Sequence, residues 1–420
     1  GRPWMSVSDS TTDFGEHAAR IELARCLDVC LDCRQCMEMC GVFPATIELV
    51  EERPGSDASL LTPLDQDQII SLCSHCDLCR DGCPHRPGIG TAAVDLPAAV
   101  EALRFSLQRS GRVGWRAGFV GRALASDRTL RSARWLRRPV NWLLRGRDGG
   151  VGRRALSLIF GLTRARPLPV LADESFAHWF SRRRASADAT QHSVVIVPTC
   201  LVDQFAPEVG RESVRALEGG GAACALAGVT CCGGGLLESG QIDRFLRLAE
   251  RNSQVLSESN GPIVVLQPSC LEVLRSDYPR LLGSSADGLA ARVRGVVEHL
   301  DVTVPDAGAR ASSLLPVAIG LIGSPRGRAT GEDERLAARL ERRGVRVVHI
   351  ETGSLGEGPG ALTEARDAAE SFVAPSDVPD DLPLFGSSVI INRMFQERLG
   401  RLVEPAQALL AVLATDEANG

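Results

Sequence analysis

The chain has 420 residues, a net charge of −5 and 44% hydrophobic residues, with aromatics at only 4%. That is enough for about two to four domains, with cores drawn mainly from Ala, Val and Leu. No apolar run approaches the ~18 residues a membrane-spanning helix needs, and no basic-then-apolar leader is present, which points to a reducing cytoplasm.

Helical spacing over 21–29 leads into Cys30, Cys33, Cys36 and Cys40, a C-x-x-C-x-x-C-x-x-x-C run. Residues 41–65, rich in Pro, Glu and Asp, read as a connector, and 69–72 as a helix restarting before Cys73, Cys76, Cys79 and Cys83. The second run repeats the first spacing, with Pro84 directly after it; Gly41 holds the equivalent place in the first. This doubled spacing is the two-cluster ferredoxin signature. Three cysteines of a run take three corners of one [4Fe–4S] cube, and the fourth crosses to the other. It assigns Cys30, Cys33, Cys36 and Cys83 to one cluster and Cys73, Cys76, Cys79 and Cys40 to the second. Zinc also takes four thiolates, but usually from two separated C-x-x-C pairs, so the contiguous chelate favours iron. Residues 5–100 form this helical, ferredoxin-like domain, and metal should be needed to fold it. His75 and His85 flank ligands and read as tuning or solvent-facing groups rather than ligands.

Residues 101–185 form a basic region. Between Glu101 and Arg166 stand sixteen Arg against three acids, about +13, which leaves the rest of the chain near −18. Apolar residues from Val120 to Leu143 recur at helical spacing, with a kink expected at Pro139. Trp115, Trp135 and Trp142 lie among the arginines, and the seven-residue step between the last two suggests one helix face. Arg and Trp on amphipathic helices suit an anionic membrane surface. Docking on an acidic protein face fits equally well. No motif of nucleic-acid recognition is present.

From residue 190 the pattern changes to short β-branched runs alternating with helices. Strands are expected over 193–198, 222–227 and 263–266, with helices over 207–217 and 241–259 and another opening at Cys270. The order repeats: strands over 316–322, 345–350 and 387–391, helices over 332–343, 362–372 and 394–399, and a closing helix over 405–413. A glycine-rich turn is read over 353–360. This is a parallel α/β arrangement, duplicated, with half-domains over 186–305 and 310–420. The whole chain is thus a multidomain α+β/α/β protein.

Cys200, Cys231 with Cys232, and Cys270 each follow a strand of the first half, at the carboxyl edge where parallel sheets gather ligands. The glycines 233–235 should let backbone approach a bulky cofactor. A third cluster on these four thiols is favoured over packing or redox thiols, whereas Cys224, inside a strand, and Cys26 read as small buried hydrophobes.

The segments PTC (198–200), CCGGG (231–235) and PSC (268–270) resemble the cysteine-rich CCG domain of heterodisulfide reductase-type proteins. With the paired runs upstream, the chain is similar to iron–sulfur subunits of the anaerobic glycerol-3-phosphate dehydrogenase and glycolate oxidase kind. PEVGRESVRALEGGG (207–221) and QPSCLEVLRSDYPRLL (267–282) also resemble the iron–sulfur half of FAD-dependent 2-hydroxyacid dehydrogenases. Two departures stand out. Gln267 fills the first cysteine of the closing C-x-x-C, and the second half carries no cysteines, with 324–326, 352–354 and 392–394 in the matching turns.

The resemblance implies electron transfer between a flavoprotein dehydrogenase and a quinone or other acceptor, by a cytoplasmic or peripheral membrane protein. No dinucleotide or P-loop fingerprint is present, so a flavin belongs to a partner. Two alternatives stay open: a catalytic reductase using Cys231 and Cys232, and a redox-sensing or assembly protein.

Overall fold

The computed structural model describes residues 15–73, 75–89, 92–112, 116, 118–144, 151–160, 162, 168–183, 192–304, 314–352 and 378–419. The glycine turn expected at 353–360 and the helix at 362–372 lie outside these residues, as does Trp115.

The amino-terminal region is helical. Helix α1 (Glu16–Cys33) buries Ala19, Leu23, Ala24 and Leu27 on one face and ends where Arg34 enters the left-handed region at φ 53°. The connector expected over 41–65 contains a helix, α2 (Phe43–Glu51), with Pro44 in its first turn and Phe43, Ile47 and Val50 buried at helical spacing. The many acids around these positions obscure that period in the sequence. Helix α3 (Pro63–Leu72) starts on a capping box between Thr62 and Asp65 and ends at Cys73. After α4 (Leu78–Asp81), α5 (Leu96–Arg109) opens with Asp95 accepting from the Ala98 amide.

Helix α5 packs along α1, and every residue from Pro97 to Leu107 is buried. The boundary expected at residue 100 therefore falls inside a helix. Two charged residues counted with the basic region, Glu101 and Arg104, lie in the interior instead. Partners make this tolerable. Glu101 receives a forked pair from Arg280 at 2.6 and 3.0 Å, and Arg104 donates to the carbonyls of Ile70 and Cys73.

The basic region continues as α6 (Phe119–Ala125), α7 (Asp127–Trp135), α8 (Arg137–Leu144), α9 (Val151–Phe160) and α10 (Phe176–Arg182). The chain breaks at Leu136, not Pro139, which is accommodated in the first turn of α8, where a missing N–H costs little. Trp135 and Trp142 thus belong to two helices rather than one face.

Two four-stranded parallel sheets follow. β1 (His192–Val197), β2 (Ala222–Leu226), β3 (Ile263–Val265) and β4 (Val293–Arg294) run in the order β2-β1-β3-β4. β5 (Ala318–Ile322), β6 (Arg346–Ile350), β7 (Leu384–Gly386) and β8 (Val403–Pro405) run β6-β5-β7-β8. The order is the same in both. β4 and β8 are too short to carry a readable period. The strand expected over 387–391 is displaced: the strand is Leu384–Gly386, and Val389, Ile390 and Ile391 open the helix Val389–Leu399. All three are buried, so a helix start enclosed on every side resembles a buried strand in sequence. Asn392, Arg393 and Met394 are consequently helical, and Ser387 and Ser388 occupy the turn. One apolar core runs through both sheets, joining Ile196 and Val264 to Ile319, Leu321 and Leu410. The carboxy-terminal helix Gln407–Asn419 packs on the helix Pro207–Gly219 of the first half.

Candidate iron–sulfur sites

The two cysteine runs share a local backbone. Arg34, after Cys33, and Asp77, after Cys76, both adopt left-handed conformations (φ 53° and 61°). Each is followed by a short helical turn, Gln35–Met37 or Leu78–Asp81. A non-glycine residue enters this region at a cost of about 1–2 kcal/mol, so the same bend at the same step marks a shared requirement. In each run the bend falls between the second and third cysteines.

Cys30, Cys33, Cys36 and Cys83 line one shallow cleft, beside Phe43, Val94 and Leu96. Cys79 also reaches its wall. Cys30 lies within electrostatic reach of Cys33, Cys36 and Cys83. Cys40 stands instead beside Cys73, and Cys76 and Cys79 both lie near Cys40 and Cys73. Cys36, however, lies within reach of Cys40 as well as of Cys83, so Cys83 reaches the first run and Cys40 the second without the two groups separating fully. Burial pushes the Cys36 thiol up to about 11 and Cys76 to about 12, and raises Cys30, Cys40 and Cys79 as well. Thiolates buried this way need a cation to pair with, and iron in a thiolate-bound cluster deprotonates its ligands outright. Both sets fit a cube in donor type and number. Among the described residues, no three His, Cys, Asp or Glu side chains gather closely enough to hold a single metal ion. A cube takes one thiolate at each of four separate irons.

The third constellation sits at the carboxyl edge of the first sheet. Cys200 opens the helix Cys200–Phe205, whose cap Thr199 lies at φ 59° and accepts from the Val202 amide. Cys231 and Cys232 follow β2, and Cys270 lies in the helix Pro268–Glu272 after β3. Because β2, β1 and β3 are neighbours, these turns converge, and all four thiols are buried. The sulfurs touch in sequence: Cys200 bonds Cys231, Cys231 bonds Cys232, and Cys232 lies 3.0 Å from Cys270. Accepting from its two neighbours holds the Cys231 thiol well below its usual range, while the same contacts and burial raise Cys200 and Cys232. The donor set is right in kind and number for a cluster. The spacing is that of packed thiols, with no room for a cube between Cys232 and Cys270.

The glycines of this turn serve packing more than access. Gly233 has φ +91°, and a Cβ there would meet Phe245 at 2.9 Å. Gly235 presents its carbonyl to Gly121 of α6, where a Cβ would come within 2.3 Å. Sequence reasoning missed two residues that fix the turn. Asn252 donates to the Cys231 carbonyl (2.8 Å) and to the Tyr278 hydroxyl (2.9 Å), and Tyr278 donates to the Cys232 carbonyl (3.0 Å). Tyr278 is the chain's one tyrosine and is fully buried; its rarity was a usable signal. Gln267 contacts the second half: its side chain lies 3.5 Å from Ser388 Oγ and accepts from the Val389 amide. Cys26 is enclosed in the α1 core, and Cys224 pairs across from Val194 within the sheet.

Residues 194–275 match the CCG cysteine-rich domain. The chain is 25% identical over 142 residues to a subunit of the anaerobic glycerol-3-phosphate dehydrogenase of Escherichia coli (strain K12), covering 33% of this chain and 36% of that one. It is 38% identical over 82 residues to a subunit of the fumarate reductase (CoM/CoB) of Methanothermobacter marburgensis, covering 19% and 17%. The matches thus span about a third of the length of the first relative and less of the second. No solved structure matches.

Proposed function

We propose that this chain is the electron-transfer subunit of an oxidoreductase complex, relaying electrons from a flavoprotein dehydrogenase to a quinone or other acceptor. Its CCG cysteine-rich domain and its homology to subunits of a dehydrogenase and a reductase support that reading. Cys30, Cys33, Cys36 and Cys83 would hold one [4Fe–4S] cluster, and Cys40, Cys73, Cys76 and Cys79 the second. When bound, such clusters supply one-electron carriers whose potentials follow net charge, hydrogen bonding and exposure. What supports this reading is the doubled cysteine spacing, with Cys83 lining the cleft of the first run and Cys40 beside Cys73 of the second. The chain's own part is to fix the spacing of the thiols and shield them in part, with Cys76 enclosed and the other seven half-buried.

Full-length protein purified without oxygen should bleach with dithionite in two steps and be inert alone. It should turn over a 2-hydroxyacid or glycerol phosphate only with a flavoprotein added. A chain with no reducible chromophore would end this reading. The sulfur contacts around Cys231 favour a second one, in which that thiolate attacks a disulfide. Disulfide reduction by the isolated chain, lost in Cys231→Ser, would support it over the first. About twelve irons per chain in place of about eight would assign a third cluster to Cys200, Cys231, Cys232 and Cys270 instead.

The basic helices divide into two parts. Arg109, Arg112 and Arg137 pair with Asp243, Glu16 and Asp173 of the chain itself, so part of the block docks internally. Trp135 and Trp142 are 92% and 71% exposed; Leu136, next to Trp135, and Leu158 and Ile159 of α9 are exposed too. Among the described residues no helix is long and apolar enough to cross a membrane. Large aromatic side chains among arginines suit peripheral contact with anionic lipid. Sedimentation with phosphatidylserine vesicles, lost in high salt and in a Trp135→Ala/Trp142→Ala variant, is the expected result; binding only to the flavoprotein would favour a protein face.

A further inference from the structure

A charged network lies in the interior where three parts of the chain meet. Arg326 comes from the cysteine-free half, in the first turn of the helix Pro325–Thr330 that follows β5. Its side chain is only 10% exposed. It donates to Asp77 Oδ2 at 2.8 Å and to the His75 carbonyl at 2.6 Å, and it pairs with Glu272. Asp77 stands between Cys76 and Cys79, in the left-handed bend described above. Glu272 lies two residues beyond Cys270, in the helix Pro268–Glu272. Arg80 binds the same Asp77 oxygen (3.1 Å) and also Asp95 (3.2 Å).

An enclosed arginine is expensive unless every donor is used. Here one planar fork is divided among a cysteine-run carboxylate, a cysteine-run carbonyl and a carboxylate of the third constellation. A lysine point charge could not reproduce that geometry. The corresponding turn of the first half supplies Cys200; this one supplies a fixed cation.

We infer that Arg326 is a positioning residue for the cluster held by the second run. It clamps the Cys76–Cys79 bend against the Cys270 helix, and its charge raises that cluster's reduction potential. The inference rests on the iron–sulfur reading of the second run, and it gives the cysteine-free half a defined role. The reasoning is electrostatic. Reduction adds negative charge, which a nearby buried cation stabilises; without Arg326, Asp77 and Glu272 are left less compensated and reduction becomes harder.

The test is an EPR-monitored redox titration of the full chain, purified anaerobically, with iron counted for each variant. In Arg326→Met the second-run cluster should be harder to reduce by at least tenfold in its oxidised-to-reduced ratio, 59 mV for one electron, while the first-run cluster stays put. Arg326→Lys should recover much of the potential but broaden the EPR signal, since charge returns without the fork. An iron-loaded Arg326→Met protein with both potentials unchanged overturns the inference, as does an equal shift of both clusters. Should Arg326→Met fail to fold, Asp77→Asn decides. It leaves Arg326 less compensated, so the same cluster should become easier to reduce, and an unchanged potential overturns the clamp. An unmodified protein without reducible iron would instead defeat the functional reading, a distinct outcome.

Discussion

The two α/β halves have one strand order and two chemistries. In the first, the turns at the carboxyl edge carry Cys200, Cys231, Cys232 and Cys270. In the second, the equivalent described turns carry Ser324, Arg326, Thr352, Ser387 and Ser388. Sheet topology brings the turns together in both, and only the side chains decide what the edge can bind. The second half uses its edge to grip the rest of the molecule: Arg326 holds Asp77 and Glu272, and Ser388 meets Gln267. Gln267, three residues before Cys270, thus joins the two halves.

The sharpest way to break that contrast is to remove one thiol from a cysteine run and one hydroxyl from the second half. Cys76→Ser should cost one of two EPR signals and about four irons per chain, whereas Ser388→Ala should leave both counts unchanged. Next in size is the buried pair tying α5 to the first half. Glu101→Ala leaves Arg280 facing Asp277 alone in the interior, and removing one member of a buried pair costs roughly 3–5 kcal/mol, readable as a fall in the urea midpoint.

A pH experiment then probes the junction. Burial pushes the Glu332 carboxyl up to about 7, although it accepts from the Val297 and Glu298 amides at 3.0 Å each. An acid whose folded value is raised binds its proton more tightly in the folded chain, so its contribution is present at low pH and lost as pH rises. Stability should therefore decline between about pH 4.5 and 7, by roughly 3 kcal/mol at most. Glu332→Gln should flatten that slope in urea titrations at several pH values; a slope unchanged by the substitution would contradict the assignment. The smallest effect expected is at the CC turn. Tyr278→Phe removes two hydrogen bonds, the one to the Cys232 carbonyl and the one from Asn252, a loss of about 2 kcal/mol, and should speed alkylation of Cys231 and Cys232 without altering cluster potentials.

Spacing made the cysteine groups legible, because ligand geometry imposes a short fixed pattern on contiguous residues. Strand–helix alternation made the parallel sheets legible for the same reason of period. What the sequence hid depends on contacts between distant segments. Glu101 and Arg104 read as surface charges because their partners, Arg280 and the Ile70 and Cys73 carbonyls, are far along the chain. The first turn of the helix Val389–Leu399 read as the end of a strand over 387–391 because three β-branched neighbours enclosed on all sides carry no period. Helix α2 read as a connector because acids interrupt its apolar face. The clamp at Arg326 left no local sign, since nothing around 324–326 indicates that Asp77 waits opposite.

Whether buried thiolates of the two runs hold electron-carrying iron cubes is tested most directly by iron and acid-labile sulfide analysis. The full chain would be purified without oxygen and followed through a dithionite titration. The account predicts at least about eight irons per chain and a brown absorbance that bleaches on reduction. Zinc in place of iron, or a colourless protein indifferent to dithionite, would contradict it.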